Sequence, residues 1–448
     1  MKLFITILLA VLPLFSQMSV GDAWMQVKRH SKALSASHDD LKRAKLKQRS
    51  AKSLYLPALS VTASYTHLSE PIGIDISDIS TKVNPIITAI GGKAIPSELD
   101  FLGQDIALAD LQLLYPLYTG GKIDAAQDIY SSKVDESLAM RHMQKDKLFL
   151  KFIKVYYGVV MMESLYRTKK EQRRSLALHY SNAKRLKEQG QISRVELLDA
   201  KVKLNSAEIE LTKTKQQLEI VKEVLYDMTK RKDRPKSPLF VSKKMMNEAR
   251  YSENARENYA AIELLDAKLQ QASAAVDIER SAWHPQVLGY ANTNLYKGDS
   301  PLEELAPKWA VGVVVKFDLF SRRDRSSEVE AAQLLHHKVE SLKLQAQEDL
   351  RIGIKKRYDE MMLYRDEFLS LSASLELAKE NYKLRTIAFA EGLSTSLEVV
   401  EAQMFLSGAR TKRLNAAYNY IQMLSRLCVL SGDSALFFEF ERSGERVE

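Results

Sequence analysis

The sequence predicts an α+β membrane protein built from two tandem structural repeats, in which long α-helices form coiled coils and four short strands accompany them. Three observations support this prediction. A segment occurs twice at a separation of about 200 residues, two very long stretches lack proline, and short stretches alternate between apolar and polar residues. A unit of about 200 residues is much longer than a solenoid repeat, so the duplication indicates one structure with two-fold pseudosymmetry.

The duplicated segment centres on two glycines, Gly190 and Gly392. Residues 190–201 read GQISRVELLDAK and residues 392–403 read GLSTSLEVVEAQ, so the glycine, two acidic positions and an alanine coincide. Each glycine is expected to end a helix in the left-handed conformation that glycine adopts without strain. The next helix is expected to begin at a capping box, formed by Ser193 with Glu196 and by Thr395 with Glu398.

Each glycine follows a stretch that is suited to a very long helix. Residues 122–189 and 324–391 contain no proline and one glycine each, and each stretch would span about 100 Å as a continuous helix. Shorter helices are predicted over 193–230 and 395–431. A strict seven-residue spacing in them predicts coiled-coil packing, with Leu197, Leu204, Leu211, Leu218 and Leu225 in the first and Val399, Leu406, Arg413, Tyr420 and Leu427 in the second.

Four strands are predicted, over about 57–68, 106–118, 286–296 and 308–320. Apolar and polar residues alternate in them, as expected of a sheet with one apolar and one polar face. A strand of about 10 residues is long enough to cross a bilayer at a tilt. Aromatic side chains near the strand ends suit the two membrane interfaces; they are Tyr65, Tyr118, Tyr296 and Trp309.

The start of the chain has the pattern of a secretory signal peptide. Lys2 is followed by an apolar stretch from Leu3 to Phe15 and then by small residues up to Ala23. We predict a signal peptide over 1–23 that is cleaved after Ala23. The remainder is predicted to comprise a first repeat (24–230), a linker (231–252), a second repeat (253–432) and a C-terminal tail (433–448).

Composition and the export signal argue against a nucleic-acid partner and against a disulfide within the chain. The chain carries a net charge of +9 at pH 7, which would suit nucleic acid, but the export signal argues against such a partner. Cys428 is the single cysteine, so a disulfide within the chain is ruled out.

No residue pattern indicates catalysis, a cofactor or a metal. The adjacent His336 and His337 are expected on different helix faces, and no HExxH motif or His/Cys cluster accompanies them. The segment GGK at 120–122 lacks the upstream glycine and the Ser/Thr of a phosphate-binding loop. We therefore expect a chain that is not an enzyme and that has no catalytic residue, cofactor or metal.

The order of these elements resembles that of the TolC-like outer-membrane efflux protein family over essentially the whole mature chain. A strand pair, a long helix, a glycine turn and a second helix follow one another, and the series then occurs again. The local signatures are Leu56-Pro57 and His284-Pro285 before strands, YPLYTGG at 115–121, and the two glycine motifs. The order and the duplication of these signatures make the resemblance specific.

This resemblance implies a homotrimer. Each chain would contribute four strands to one β-barrel in the lipid of the outer membrane, and the helices would continue it as a coiled-coil tunnel extending into the periplasm. The tunnel tip would bind a periplasmic adaptor (membrane fusion) protein and an inner-membrane transporter. The implied function is the outer-membrane channel of a tripartite efflux pump or type I secretion system, which is a passive export duct for small molecules or proteins.

The resemblance also implies a pore constriction just after the second glycine, at Glu398 and Glu401, with Glu196 and Asp199 as the first-repeat counterparts. Three copies of each acid would form rings of negative charge that favour cations. Glu196 and Glu398 also fit a purely capping role. The hairpin tips at Gly190 and Gly392 would dock the adaptor.

Two positions depart from the family pattern at the tip. Some relatives hold the pore shut with an arginine two residues after the second glycine, and this chain has Ser394 there. The aromatic residue expected three positions before that glycine is Phe389, which has no hydroxyl group to donate a hydrogen bond.

Two alternative hypotheses are a periplasmic coiled-coil adaptor and a structural coiled coil of the envelope. An adaptor would carry one hairpin flanked by β-rich domains, whereas this chain carries two full repeats. A structural coiled coil would not need alternating strands with aromatic ends.

Overall fold

The computed structural model describes residues 17–242, 246–296 and 307–447. Within them the chain forms two compact units. The helical unit comprises 17–42, 135–266 and 341–447, and the sheet unit comprises 43–134 and 267–340, each with the gaps just given. Residues 1–16, most of the predicted signal peptide, lie outside the described residues.

Most of the described residues are helical. Among them, no helix has both the length and the apolar character that crossing a bilayer requires. Ser53–Tyr55 forms a short 3-10 turn, and in chain order the helices are α1 (Val20–His30), α2 (Lys32–Lys52), α3 (Ser77–Ala89), α4 (Lys122–Glu188), α5 (Arg194–Thr229), α6 (Glu248–Asn258), α7 (Ala260–Ser281), α8 (Arg325–Ala390), α9 (Ser396–Leu430) and α10 (Leu436–Ser443).

The strands range from two to 14 residues. In chain order they are β1 (Gln17–Met18), β2 (Ala58–His67), β3 (Ile72–Asp75), β4 (Glu98–Leu102), β5 (Asp105–Tyr118), β6 (Arg234–Pro235), β7 (Phe240–Val241), β8 (Gln286–Tyr296), β9 (Trp309–Lys316) and β10 (Glu445–Arg446).

The sheet unit is built around one antiparallel sheet with the strand order β2-β5-β8-β9. Strands β3 and β4 form a separate two-stranded antiparallel sheet within the connection from β2 to β5, with α3 between them in the chain. In the described part of the chain, β2 and β9 are the outer strands of the four-stranded sheet, and each pairs on one side only. The sheet therefore presents two open edges.

The strand register sorts side chains onto an apolar and a polar face. One row across the sheet reads Leu59, Leu113, Ala291 and Val311, and the adjacent row on the opposite face reads Ser60, Gln112, Asn292 and Ala310. Neighbouring residues of a strand point to opposite faces, so the alternation in sequence becomes two surfaces of different polarity. The apolar face is exposed; Leu59, Val61, Trp309, Val311 and Val315 each keep more than 60% of their accessible surface.

The last strand is shorter than its predicted range of 308–320. The final residue pair of β8 and β9 is Gln286 with Lys316, because Pro285 precedes β8 and has no N–H group to extend the ladder. Beyond that pair, the Arg325 side chain donates a hydrogen bond to the carbonyl oxygen of Asp318. The segment after Lys316 thus lies outside the sheet.

The core of the helical unit is a cluster of aromatic side chains. Trp24 stacks on Phe152, with ring centroids 5.5 Å apart, and Phe149 meets Phe437 edge to face at 5.7 Å. Buried aromatic pairs of this kind contribute beyond the area that they bury. The Tyr156 hydroxyl, which is buried among them, donates to the carbonyl oxygen of Met18 at 2.8 Å and accepts from the Ser237 backbone N–H at 3.1 Å.

Residues 17–23 are part of this folded unit. Strand β1 pairs in parallel with β6, and the Ser19 hydroxyl caps α1 by accepting from the Asp22 N–H. The residues Met18, Val20 and Ala23 are buried in the main core. Cleavage after Ala23 would remove all of these contacts, so we propose instead a cleavage site upstream of Met18.

We predict that the mature protein retains Met18, Val20 and Ala23. N-terminal sequencing or intact mass measurement of protein purified from the cell envelope should detect a terminus upstream of Met18. A mature chain beginning at Trp24 would contradict the packing of β1 and α1, because the core would then lack Met18, Val20 and Ala23.

Candidate functional site at the hairpin tips

Helices α4 and α5 form one antiparallel hairpin, and α8 and α9 form a second. In the first, Arg173 of α4 binds Glu208 of α5, with Nη2 2.7 Å from Oε1. In the second, the buried residues Leu375, Ala378, Leu406 and Ala409 form a small core of their own. A further cluster joins the two hairpins, because it contains Leu176, Ala207 and Val400.

The two hairpins turn in the same way. Gly190 has a φ angle of +74° and Gly392 has one of +75°, the left-handed region that side-chain-bearing residues rarely adopt. Both turns have the Schellman pattern, in which two backbone N–H groups close the end of the helix. The bonds are Gln191 N to Leu186 O (2.9 Å), Gly190 N to Lys187 O (3.0 Å), Leu393 N to Ala388 O (2.8 Å) and Gly392 N to Phe389 O (3.2 Å).

The helices that follow the turns begin at hydroxyl caps. At α9 the capping box is complete. Thr395 Oγ1 accepts from the Glu398 N–H at 3.3 Å, and Glu398 Oε2 accepts from the Thr395 N–H at 2.9 Å. At α5, Ser193 Oγ accepts from the Glu196 N–H at 3.2 Å, and the Glu196 carboxylate lies 3.5 Å from the same hydroxyl. Both acids at this position therefore contribute to starting a helix.

The Glu398 carboxylate is held by several groups at once. Besides the cap, Ser394 Oγ donates to Oε2 at 2.6 Å, and Arg385 Nη1 donates to Oε1 at 2.9 Å. The bonds from Ser394 and from the Thr395 backbone lower the pKa of Glu398, so it is ionised at neutral pH. The arginine that the family pattern places at position 394 is absent, and Arg385 supplies a guanidinium within the same hairpin.

The acids one helical turn further on differ from the capping acids. Glu401 is exposed, and no hydrogen bond or ion pair joins it to any described residue. Asp199 is half-buried, and its charge acts on His179. Of the four predicted acids, Glu401 thus has the freest carboxylate.

A buried histidine links the two hairpins near their tips. His179 of α4 is 6% exposed, its Nε2 lies 2.6 Å from Ser396 Oγ at the start of α9, and its ring lies 5.0 Å from that of Phe389. No local sequence pattern indicated this contact, and the position equivalent to His179 in the second repeat is Asn381. Phe389, which lacks a hydroxyl, packs on the imidazole instead of donating a hydrogen bond.

Burial lowers the pKa of His179 from its ordinary value of 6.5, and the Asp199 carboxylate acts in the opposite direction. A histidine whose pKa is lower in the folded state is held neutral there. Its favourable contribution is therefore present above about pH 6.5 and is lost as the pH falls through the folded-state pKa.

The contact between α4 and α9 continues away from the tips as a series of polar bonds. Arg410 forms an ion pair with Glu171, and Ser407 Oγ donates to Gln172 Oε1 at 2.9 Å. Further along, the Tyr418 hydroxyl donates to the Lys154 carbonyl oxygen at 3.2 Å. The two hairpins are thus joined along one seam, and the His179–Ser396 bond is its contact nearest the tips.

The adjacent histidines on α8 lie close to a carboxylate. Potential ligand atoms of His336, His337 and Glu340 all lie within 4.8 Å of one another. On a helix, Glu340 falls in angle between the two histidines, because one residue advances about 100° and four residues about 40° past a full turn. The third member of this group is a carboxylate, which the search for an HExxH motif or a His/Cys cluster did not address.

A family model described as outer membrane efflux protein matches residues 25–229 and 251–433. No protein with curated annotation matches the chain in sequence.

Several solved structures share the fold. VceC from Vibrio cholerae is 16% identical over 93% of this chain and 96% of its own, with a TM-score of 0.73. The CmeC outer membrane channel of Campylobacter jejuni is 15% identical over 95% and 90%, also at 0.73. The open state of the Neisseria gonorrhoeae MtrE outer membrane channel is 15% identical over 93% and 89%, again at 0.73.

We predict that the tips loosen as the pH is lowered from 7.5 to 5.5, because protonation of His179 places a charge on a buried ring. Hydrogen exchange of residues 179–200 and 385–400, corrected for the intrinsic pH dependence of exchange, should show lower protection at pH 5.5. His179→Asn should abolish this pH dependence, whereas the matched control His38→Asn, at an exposed histidine, should retain it. Equal pH dependence in both variants would contradict this assignment.

Proposed function

This chain belongs to the outer membrane efflux protein family, and on that premise we propose that three copies assemble into one export channel. In this proposal, twelve strands, four from each chain, close a barrel in the outer membrane, and the hairpins form a tunnel in the periplasm. The tandem repeat gives each chain two hairpins of similar construction.

The open edges of the sheet are the observation that carries the proposal. Strands β2 and β9 each pair on one side only among the described residues, and the apolar face between them is exposed. Four strands cannot close a barrel, and a bilayer offers no water to the unpaired N–H and C=O groups of an edge. Pairing β2 of one chain with β9 of the next satisfies both edges and leaves the apolar face toward lipid.

The helices independently support self-association. On α5, exposed apolar side chains recur on one face at helical spacing; they are Leu198, Val202 and Ile209. Exposed apolar side chains grouped on one face indicate a surface that is covered by another element. In a trimer, hairpins of neighbouring chains would cover it and complete the wall of the tunnel.

We propose that the acids after the two glycines line the constriction, with different roles. Glu401, whose carboxylate is exposed and unpaired among the described residues, would supply most of the charge of the ring, and Asp199 would add to it. Glu196 and Glu398 would act first as capping residues. The charge of Glu398 is already offset by Arg385.

We propose that the tips dock a periplasmic adaptor, which in turn recruits an inner-membrane transporter. The turns at Gly190 and Gly392 carry exposed apolar side chains beside them, since Val195 is 74% and Leu393 is 77% exposed. A surface of this kind suits a protein partner. Energy would be supplied at the inner membrane, and the channel itself would conduct passively.

The family description names efflux and no reaction, which supports our proposal that the chain is not an enzyme. It also favours an export channel over the alternatives of an adaptor or a structural coiled coil. A role in type I secretion, with proteins as cargo, is compatible with the same architecture.

The function is tested by reconstituting the purified protein into planar bilayers. We expect discrete conductance steps without nucleotide or adaptor, because a barrel of shared strands is open to ions once assembled. A protein that fractionates with the outer membrane but never conducts, at any pH or voltage, would contradict the channel.

The ring assignment makes a separate prediction. Glu401→Ala should reduce the preference for cations over anions by roughly twofold or more, because one unpaired charge is lost from each of three chains. Glu398→Ala should have a smaller effect on selectivity, since its charge is offset by Arg385, while Glu348→Ala, at an exposed acid paired with Arg351 far from the tips in sequence, serves as control. Unchanged reversal potentials for Glu401→Ala would remove this residue from the pore lining.

A further inference from the structure

A cavity in the helical unit concentrates positive charge between α4, α8 and α9. Its volume is about 430 Å³, which is within the usual range for small-ligand sites. Its cations are Arg167, Lys379, Arg410 and Arg413, and its acids are Glu171 and Glu376. The cavity lies away from the glycine turns, and none of the predicted site residues lines it.

The two acids of the cavity are already neutralised. Glu171 forms an ion pair with Arg410, and Glu376 Oε1 lies 2.7 Å from Lys379 Nζ. This pairing leaves Arg167 and Arg413 without a carboxylate partner among the described residues. The Arg167 guanidinium donates only to the neutral hydroxyl of Ser164, at 3.1 Å. Two positive charges of the cavity are therefore not balanced by an ion pair.

Arg413 is a charged residue at a heptad position where buried apolar or aromatic residues are expected. It stands in the heptad of α9, whose neighbouring members Leu406 and Tyr420 are buried in the core. Its guanidinium stacks over the Phe368 ring at 4.8 Å, and its Nε donates to Ser372 Oγ at 3.0 Å. These contacts fix the orientation of the group but use only one of its five N–H donors.

The environment of Arg413 disfavours its charge. Burial lowers the pKa of Arg413, and the charges of Glu445 and Glu376 offset this effect only in part. Because a guanidinium stays protonated in proteins, the half-buried charge persists without an ion pair. An anion that enters the cavity would gain charge-assisted hydrogen bonds from a group that is already oriented.

We propose that this cavity binds a small oxyanion, with Arg413 and Arg167 as its principal donors. The planar guanidinium of Arg413 suits two oxygens of one phosphate or carboxylate group, and Arg167 would approach the same anion from α4. An anion held there would bridge α4 and α9, the two helices that form the seam between the hairpins.

Titration calorimetry of the full-length protein in detergent, with inorganic phosphate as the probe and sodium chloride at equal ionic strength as the blank, tests this site. The wild type should bind phosphate saturably. Arg413→Met, which keeps an unbranched side chain over Phe368, should weaken binding by about tenfold or more, and the exposed Arg167→Gln should weaken it severalfold. The control Arg351→Met, at an exposed arginine that is paired with Glu348, should bind as the wild type does.

Two outcomes would overturn the proposal. One is the absence of saturable heat with phosphate in the wild type. The other is equal affinity in Arg167→Gln and the wild type, a comparison that remains valid even if Arg413→Met does not fold. The first outcome, combined with easier dissociation of the oligomer in Arg413→Met, would assign the cavity to a carboxylate of a neighbouring chain instead of a free anion. The phosphate-binding results do not bear on whether the protein conducts ions.

Discussion

The hydrogen-bonding requirement of the sheet edges constrains everything else in this molecule. Strands β2 and β9 end the sheet, and each leaves a row of backbone groups without a partner in the described part of the chain. In water such an edge can be solvated, but in hydrocarbon each unsatisfied group costs several kcal/mol. In the channel proposed above, the apolar face of the sheet contacts lipid and other copies of the chain pair these edges. The proposed trimer, and a tunnel assembled from hairpins of several subunits, rest on that pairing.

Within each chain, the seam between α4 and α9 decides how firmly the two hairpins are held together. Its polar bonds and the cluster around Val400 hold these helices in register. The bond between His179 and Ser396 is the seam contact nearest the tips, and burial lowers the pKa of the imidazole that forms it. The strength of this contact therefore depends on pH, because protonation places a charge on a buried ring.

The sequence predicted those features that depend on short-range patterns. The alternation from Leu59 to Thr66 anticipated a sheet with two unlike faces, and the left-handed turns occur at Gly190 and Gly392 because few other residues adopt that conformation without strain. Contacts between segments that are far apart in the chain could not be predicted from such local patterns. His179 and Ser396 are separated by 217 positions, and no local pattern marks either of them. Likewise, the packing of residues 17–23 against β6 and Tyr156 cannot be inferred from the leader-like stretch that precedes them.

The most direct test of a shared barrel is the mass of the assembly extracted from the outer membrane. Native mass spectrometry in a mild detergent should give a single species with the mass of three mature chains, and it should persist on dilution because the strand edges hold the chains together. A species of one chain mass, from protein that is folded and resident in the outer membrane, would show that the edges of β2 and β9 are satisfied in some other way. The trimeric channel would then be wrong.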